Sequence, residues 1–154
     1  MGVRLWCDAD MPIRFGVHAK FQKEMNRMGV KREACDVWFS KCVRHRDQHR
    51  CQYCFKEGTD CAHVYSRARK STRWSMDNAT TLCRYHHNWF GSNPVAFTDW
   101  LTSMWGKGHM DLLREKANAT LKTTKKLRKE ISDHYRAELR KAEADLDYDI
   151  ISFN

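Results

Sequence analysis

The sequence predicts an α+β fold in which a short two-stranded sheet is flanked by helices. Two pairs of metal-ligand residues are separated by two intervening positions, Cys51 with Cys54 and Cys83 with His86. This spacing lets one tight turn direct both side chains of a pair towards a single ion. Apolar residues recur every three to four positions on both sides of this segment, which predicts the flanking helices. We therefore expect a core stabilised by a structural Zn2+ ion between residues 51 and 87.

The charge of the chain favours a polyanionic partner. Its 154 residues include 28 Lys and Arg against 19 Asp and Glu, which gives a formal net charge of +9. A protein that neutralises phosphates gains affinity because condensed counterions are released, although solvated basic faces are also common. A chain of this length corresponds to about one domain.

The sequence gives no signal for a membrane or for secretion. It has no apolar run of the roughly 20 residues that cross a bilayer, and its N-terminus lacks the pattern of a signal peptide. Seven cysteines are an odd number for a disulfide scaffold, and two of them form a pair at metal-ligand spacing. We therefore expect a cytoplasmic protein without a membrane partner, whose cysteines bind metal in a reducing compartment.

Three segments are expected along the chain. Residues 1–34 are expected to form a helical N-terminal extension, and residues 35–106 a metal-binding core that opens with an amphipathic helix over 35–47. A second helix is expected to start at Asn93-Pro94 and to end at Gly106 and Gly108.

The C-terminal segment, residues 107–154, is expected to form one long basic helix from about 110 to 144 and an acidic tail. The tail is expected to be frayed, with recognition of a partner or shielding of the basic face as alternatives. The basic faces of this helix could lie along a DNA duplex. Alternatively, its apolar stripe could pack on the core or on a second copy of the chain. The sequence alone leaves both arrangements open.

Three further residues stand among the zinc ligands without being needed by the ion: His63, Asn78 and His87. Their order, with His87 directly after the last ligand, resembles the HNH family of nucleases, whose fold is the ββα-metal finger. Two sequence motifs are similar to those of a phage-type branch of that family. They are Cys-Ala-His-Val-Tyr-Ser-Arg over 61–67 and Asp-Asn-Ala over 77–79. A more distant likeness is to the phage recombination nucleases of the NinG/Rap group. The resemblance covers residues 36–101.

The resemblance implies a DNA endonuclease that hydrolyses phosphodiester bonds, in the cytoplasm of the host cell if the chain is of phage origin. His63 would be the general base on the attacking water, a role that suits an imidazole with an ordinary pKa near ~6.5. Asn78 would orient that imidazole or hold its loop. His87 would ligate one Mg2+ or Mn2+ ion that bridges the scissile phosphate and the leaving oxygen.

The chain departs from the commonest family pattern in two places. Most relatives carry Asp or His as a metal ligand directly before the general base, where this chain has Ala62, so the cation needs another ligand. Relatives usually carry Cys in place of His86, so His86 and His87 could exchange roles. Three residues are candidates for the second cation ligand: Asp60, Asp77 and Asn78.

The loop that follows the first expected strand is rich in basic residues beside aromatic ones. Such a loop suits contacts with the DNA backbone. The expected partner is double-stranded DNA, and a double-strand cut would need a homodimer, for which the C-terminal helix offers a surface. Two other functions stay open, a structure-selective nuclease acting on branched recombination DNA and a non-catalytic zinc DNA-binding protein. The expected DNA contacts are Arg67, Arg69, Lys70 and Arg73.

Overall fold

The computed structural model of the protein describes residues 30–153, so most of the expected extension over residues 1–34 lies outside the described part. The α+β class is confirmed, because the described residues contain four α-helices and one two-stranded antiparallel sheet. No helix in this part of the chain combines the length and the apolar character that crossing a membrane requires. The elements in chain order are α1 (Ala34–Arg46), β1 (Asp60–His63), β2 (Ala79–Leu82), α2 (Arg84–Ser92), α3 (Pro94–Asn118) and α4 (Lys125–Ala144).

Helix α1 begins one residue earlier than the sequence predicts and ends one residue earlier. The backbone N–H of Glu33 donates to the Asp36 carboxylate at 2.7 Å, which closes the first turn. The buried face of the helix consists of residues spaced three or four apart, as the periodicity predicts. These residues are Cys35, Phe39, Cys42 and Val43.

The prediction of one long C-terminal helix is wrong. Helix α3 continues to Asn118, residues 119–124 are not helical, and α4 starts after Thr124. The Thr124 hydroxyl accepts the Leu127 N–H at 3.1 Å, an N-terminal cap that the apolar repeat concealed.

The apolar stripe of α4 packs inside the protein. Ile131, Tyr135 and Leu139 are buried with Phe39 of α1 in one cluster, which also contains Trp74. The stripe is therefore occupied within the chain. Dimerisation stays a prediction and would need another surface.

The predicted helix end at Gly106 is confirmed in the backbone. This residue has the non-helical angles φ 82° and ψ 156°, so α3 consists of two helical stretches that meet at a kink. Glycine reaches a positive φ without a Cβ penalty, so Gly106 allows the break, and the second stretch continues to Asn118.

The acidic tail is bound to the protein, so the expectation that it is frayed is wrong. The buried Glu138 carboxylate accepts the Tyr148 hydroxyl and the Ile151 N–H, each at 2.9 Å. The Ser152 hydroxyl accepts the Met76 N–H at 3.1 Å, and the Phe153 N–H donates to the Tyr135 hydroxyl at 3.1 Å. These hydrogen bonds tie the tail to α4 and to the segment before β2.

The sheet separates two apolar clusters. Strands β1 and β2 pair with Asp60 opposite Leu82 and with His63 opposite Ala79. Ala62 is buried with Leu82 and Phe90 in the cluster beneath α2, whereas the His63 ring lies 5.6 Å from the Phe39 ring of α1. Because neighbouring strand residues point to opposite faces, Ala62 and His63 pack against different apolar clusters.

Gly58 connects the segment after Cys51 to β1, and it is needed for space. Its backbone is not in the left-handed region, so conformational freedom is not the reason for glycine here. A Cβ atom at this position would lie 2.5 Å from the Thr81 methyl carbon and 2.7 Å from the Arg50 carbonyl carbon. Backbone atoms cannot move aside as a flexible side chain can.

We expect Gly58→Ala to lower the free energy of unfolding by about 1–3 kcal/mol, a typical cost of overpacking. Thermal melts followed by circular dichroism would measure the change. Gly91→Ala is the matched control, because a Cβ atom there meets nothing within 4 Å and alanine favours the helix. Equal melting temperatures for the two variants would contradict the steric explanation.

Candidate metal centre and active site

Four side chains form a cluster that could hold a metal ion: Cys51, Cys54, Cys83 and His86. One ligand atom from each lies within 4.8 Å of all the others. The Cys54 and Cys83 sulfurs are 3.9 Å apart, and His86 Nδ1 lies 3.8 Å from Cys51 Sγ and 3.2 Å from Cys83 Sγ. Tetrahedral zinc with Zn–S bonds of about 2.3 Å would separate two sulfurs by roughly 3.8 Å. The cluster is therefore compatible with a structural zinc ion.

Two local structures bring the ligand pairs together. The Phe55 N–H donates to the Cys51 carbonyl at 2.8 Å, which closes the turn between the first two cysteines. The Gln52 N–H donates to the Thr81 carbonyl at 2.9 Å and so fixes this turn to β2. Cys83 precedes the first residue of α2, and His86 follows within the first turn of that helix.

The thiols of the cluster influence the pKa values of one another. Burial alone would raise the pKa of the Cys51 thiol, but backbone N–H groups of Cys83, Cys54 and Tyr53 bring it below its ordinary value. Burial and the neighbouring Cys51 sulfur raise the pKa of Cys54 to about 11. Several thiolates therefore cannot accumulate here unless a bound cation compensates their charge.

The two consecutive histidines of α2 have different surroundings. His86 is 9% exposed, and its ring lies 4.6 Å from the Tyr53 ring beside the cysteine sulfurs. His87 lines a separate cleft, to which none of the four residues of the metal cluster contributes. His86 is therefore the histidine of the metal cluster, and the exchange of roles that the sequence left open is not seen.

A cleft of about 470 Å³ contains His63, His87 and Asp60. Its walls come from α1, from β1 with the loop that follows it, and from α2. The other lining residues are polar or charged, apart from Cys61, and include three arginines. They are Arg32, Asp36, Ser40, Arg44, Thr59, Cys61, Ser66 and Arg67.

The hydrogen bond of His63 determines its tautomer. Nε2 lies 3.1 Å from the Arg73 carbonyl oxygen. Because a carbonyl oxygen only accepts, Nε2 carries the proton and Nδ1 keeps its lone pair. Burial lowers the pKa of His63 from 6.5 to about 4, so the imidazole is neutral at physiological pH.

His87 and Asp60 line the same cleft. His87 Nδ1 is buried and has no hydrogen-bond partner among the described residues. A buried nitrogen of this kind is costly unless it binds a proton donor or a cation. The Asp60 carboxylate pairs with Arg84 at 3.0 Å and is 14% exposed. Asp77 lies elsewhere, lining a different pocket with Arg46 and His109.

Asn78 is fully buried and holds the loop that follows β1. Its amide oxygen accepts the Tyr65 N–H at 2.8 Å, and its Nδ2 donates to the Tyr65 and Thr72 carbonyls at 3.0 Å each. Its own carbonyl accepts the Val64 N–H at 2.9 Å. These bonds favour the loop-holding role over ligation of a cation, because its amide groups are already engaged.

Arg73 requires a correction as a DNA contact, because its side chain is fully buried. Its Nε and Nη2 donate to the Asp36 carboxylate at 2.9 and 2.6 Å, and Trp74 Nε1 donates to the same carboxylate at 2.9 Å. Burial alone would raise the pKa of Asp36, but the bonds from Arg73 and from the Glu33 backbone lower it. These bonds fix Arg73 and Trp74 in place, and the Arg73 carbonyl in turn orients His63.

The other three expected DNA contacts do not line one common pocket. Arg67 lines the cleft, Arg69 is exposed, and Lys70 lines a groove formed with residues of α4 and the segment before it. Sequence reasoning missed Arg32, Asp36, Ser40 and Arg44 as residues of this cleft. The spacing of four residues was a signal that could have identified them, because it places 36, 40 and 44 on one face of α1, and Arg32 stands just before this helix.

No protein-family model, curated protein or solved structure matches this chain. The chemistry of the cleft therefore rests on its own residues. They comprise a neutral imidazole oriented by a carbonyl, a second imidazole with a buried ring nitrogen that has no partner, and a carboxylate. Such a set can accept a proton from water and can hold a hard divalent cation.

Proposed function

We propose that this protein is a metal-dependent endonuclease of the HNH type, with a ββα-metal finger stabilised by zinc. It would hydrolyse phosphodiester bonds of DNA. The observation that carries the proposal is the meeting of His63 and His87 in one cleft whose lining contains none of the four residues of the cysteine cluster. A zinc module that only binds DNA has no need for either imidazole in a cleft.

His63 is the general base of the proposed reaction. Its Nε2 donates to the Arg73 carbonyl, so Nδ1 is the atom that takes a proton from the attacking water. Asn78 holds the loop that carries this carbonyl through its bond to the Thr72 carbonyl oxygen. Asn78 is thus a positioning residue.

His87 and Asp60 would hold the catalytic cation, which we expect to be Mg2+ or Mn2+. The partnerless Nδ1 of His87 and the carboxylate in the same cleft fit such an ion. When bound, the ion would stabilise negative charge on the phosphate and on the departing oxygen. Ala62 cannot contribute, because its side chain is buried in the cluster with Leu82 and Phe90.

Conversion of supercoiled plasmid into nicked or linear DNA tests this function. We expect cleavage with Mg2+ or Mn2+ and none with EDTA. The expected product is nicked DNA, because a single active site cuts one strand at a time. A linear duplex compared with a four-way junction would then show whether branched DNA is preferred. Absence of cleavage on all three substrates, with DNA binding retained, would leave a zinc DNA-binding protein.

The lowered pKa of His63 gives a pH prediction. Folded His63 has a pKa of about 4 against 6.5 in the unfolded chain, so the folded state binds fewer protons between these values. The free energy of unfolding therefore falls as the pH decreases from 6.5 to 4. We expect the wild type to lose up to about 3 kcal/mol relative to His63→Gln over this range. Urea melts of both proteins at several pH values would measure this difference. If the free energies of unfolding of the two proteins changed in parallel with pH, the burial of a neutral imidazole would be contradicted.

A further inference from the structure

Two arginines of the cleft converge on one hydroxyl group. Arg32 Nη2 lies 3.3 Å from Ser40 Oγ, and Arg44 Nη1 lies 3.2 Å from the same oxygen. The Ser40 hydroxyl itself donates to the Val37 carbonyl at 3.2 Å, so its orientation is fixed. Ser40 is 7% exposed, and this arrangement brings two positive charges close together on the wall formed by α1.

The carboxylates of the cleft do not neutralise this pair. Asp36 is bound by Arg73 and Trp74, and Asp60 pairs with Arg84. Within residues 30–153, neither Arg32 nor Arg44 forms an ion pair with a carboxylate. Like charges repel at this range, so the pair is an unfavourable arrangement until an anion joins it.

The position of the pair identifies the class of anion. Arg32 and Arg44 line the same cleft as His63, and Arg67 lines it from the loop after β1. Guanidinium groups bind phosphate oxygens through two parallel hydrogen bonds, and two such groups around one phosphate provide both charge and direction. A DNA strand with one phosphate at His63 presents further phosphates along the cleft.

We propose that Arg32 and Arg44, bridged by the Ser40 hydroxyl, bind a phosphate of the DNA backbone that flanks the bond to be cleaved. This inference rests on the proposed function for its substrate. The two arginines act in binding and take no part in proton transfer. Their loss therefore weakens the complex and raises KM, and it leaves kcat unchanged.

The test is the affinity of Arg32→Ala/Arg44→Ala for a fluorescently labelled DNA duplex, measured by anisotropy in EDTA at several salt concentrations. We expect Kd to rise about tenfold at low salt. The slope of log Kd against log salt should fall by about 1, because one phosphate contact is lost. Arg32 is exposed and the two arginines repel each other, so we expect the double variant to stay folded. Arg32→Ala alone should change Kd in the same direction, which keeps the test valid if the double variant does not fold.

The matched control removes two positive charges elsewhere. Lys107→Ala/Arg114→Ala deletes two exposed side chains of α3, both paired with Asp111, and should leave Kd and the salt slope unchanged. A wild-type Kd for the Arg32/Arg44 variant, or an equal loss in the control, would overturn the phosphate site. Tighter binding of an RNA duplex would overturn the assignment to DNA.

Binding in EDTA separates this inference from the proposed function. A wild type that never cuts DNA, but whose affinity depends on Arg32 and Arg44, supports the phosphate site and refutes the nuclease. A wild type that nicks DNA while the double variant keeps its Kd and KM refutes the phosphate site alone.

Discussion

Replacing Cys51 or Cys83 by serine is expected to unfold the segment from the first cysteine pair through α2. A structural zinc site of this kind contributes on the order of ~10–16 kcal/mol in small peptides, which is as large as the whole stability of many domains. The cluster beneath the sheet has four buried residues, and one of them is the metal-cluster residue Cys51, so loss of the ion disturbs the packing of α2 on the sheet. We expect one bound zinc ion per wild-type chain and loss of that ion in both variants.

Amide hydrogen exchange and metal analysis would measure this effect. Protection should be lost in β1, β2 and α2, while α1 and α4 keep more of theirs, because they share the other cluster. Cys61→Ala is the control, since Cys61 lies outside the metal cluster. A Cys51→Ser variant that keeps its metal and its protection pattern would refute a structural role for the cluster.

Replacing His63 by alanine is expected to abolish DNA cleavage while the protein stays folded. General base catalysis contributes typically 10²–10⁴-fold, so we expect at least a ~100-fold loss of the nicking rate. The side chain makes one hydrogen bond, to the Arg73 carbonyl, and the metal cluster does not contain it. Its removal should therefore not release zinc.

Nicking assays on plasmid, with thermal melts of the same samples, would measure both halves of this expectation. His45→Ala is the matched imidazole control, because His45 lies in α1 outside the cleft lining. If His63→Ala nicked as fast as the wild type, the general base would have to be another group. If it lost zinc, its role would be structural.

The sequence predicts the metal cluster well because the information is local. Two ligands separated by two residues must share a turn, and the pairs Cys51/Cys54 and Cys83/His86 meet in the structure. The same holds for α1, whose apolar period is visible over three turns. Local geometry leaves few alternatives in both cases.

The sequence fails where long-range contacts decide. The apolar repeat through Leu121 runs without interruption, but the cap at Thr124 and the burial of Ile131 against α1 divide the helix. Arg73 stands in a basic loop and was expected on the surface. It is buried because Asp36, 37 positions earlier, supplies the carboxylate that compensates its charge. No local pattern reveals such a partner.

Adjacent residues in β1 and in α2 face two different sites, and this restricts where the chain can gain or lose a residue. Ala62 faces the metal side and His63 the cleft, and His86 and His87 divide in the same way. An in-frame deletion of one residue between Cys83 and His86 would bring His87 towards the sulfurs and would take an imidazole from the cleft. One inserted residue in β1 would exchange the two faces of the strand. A substitution here would remove the contacts of one side chain, whereas an insertion or deletion would disturb the metal cluster and the cleft together.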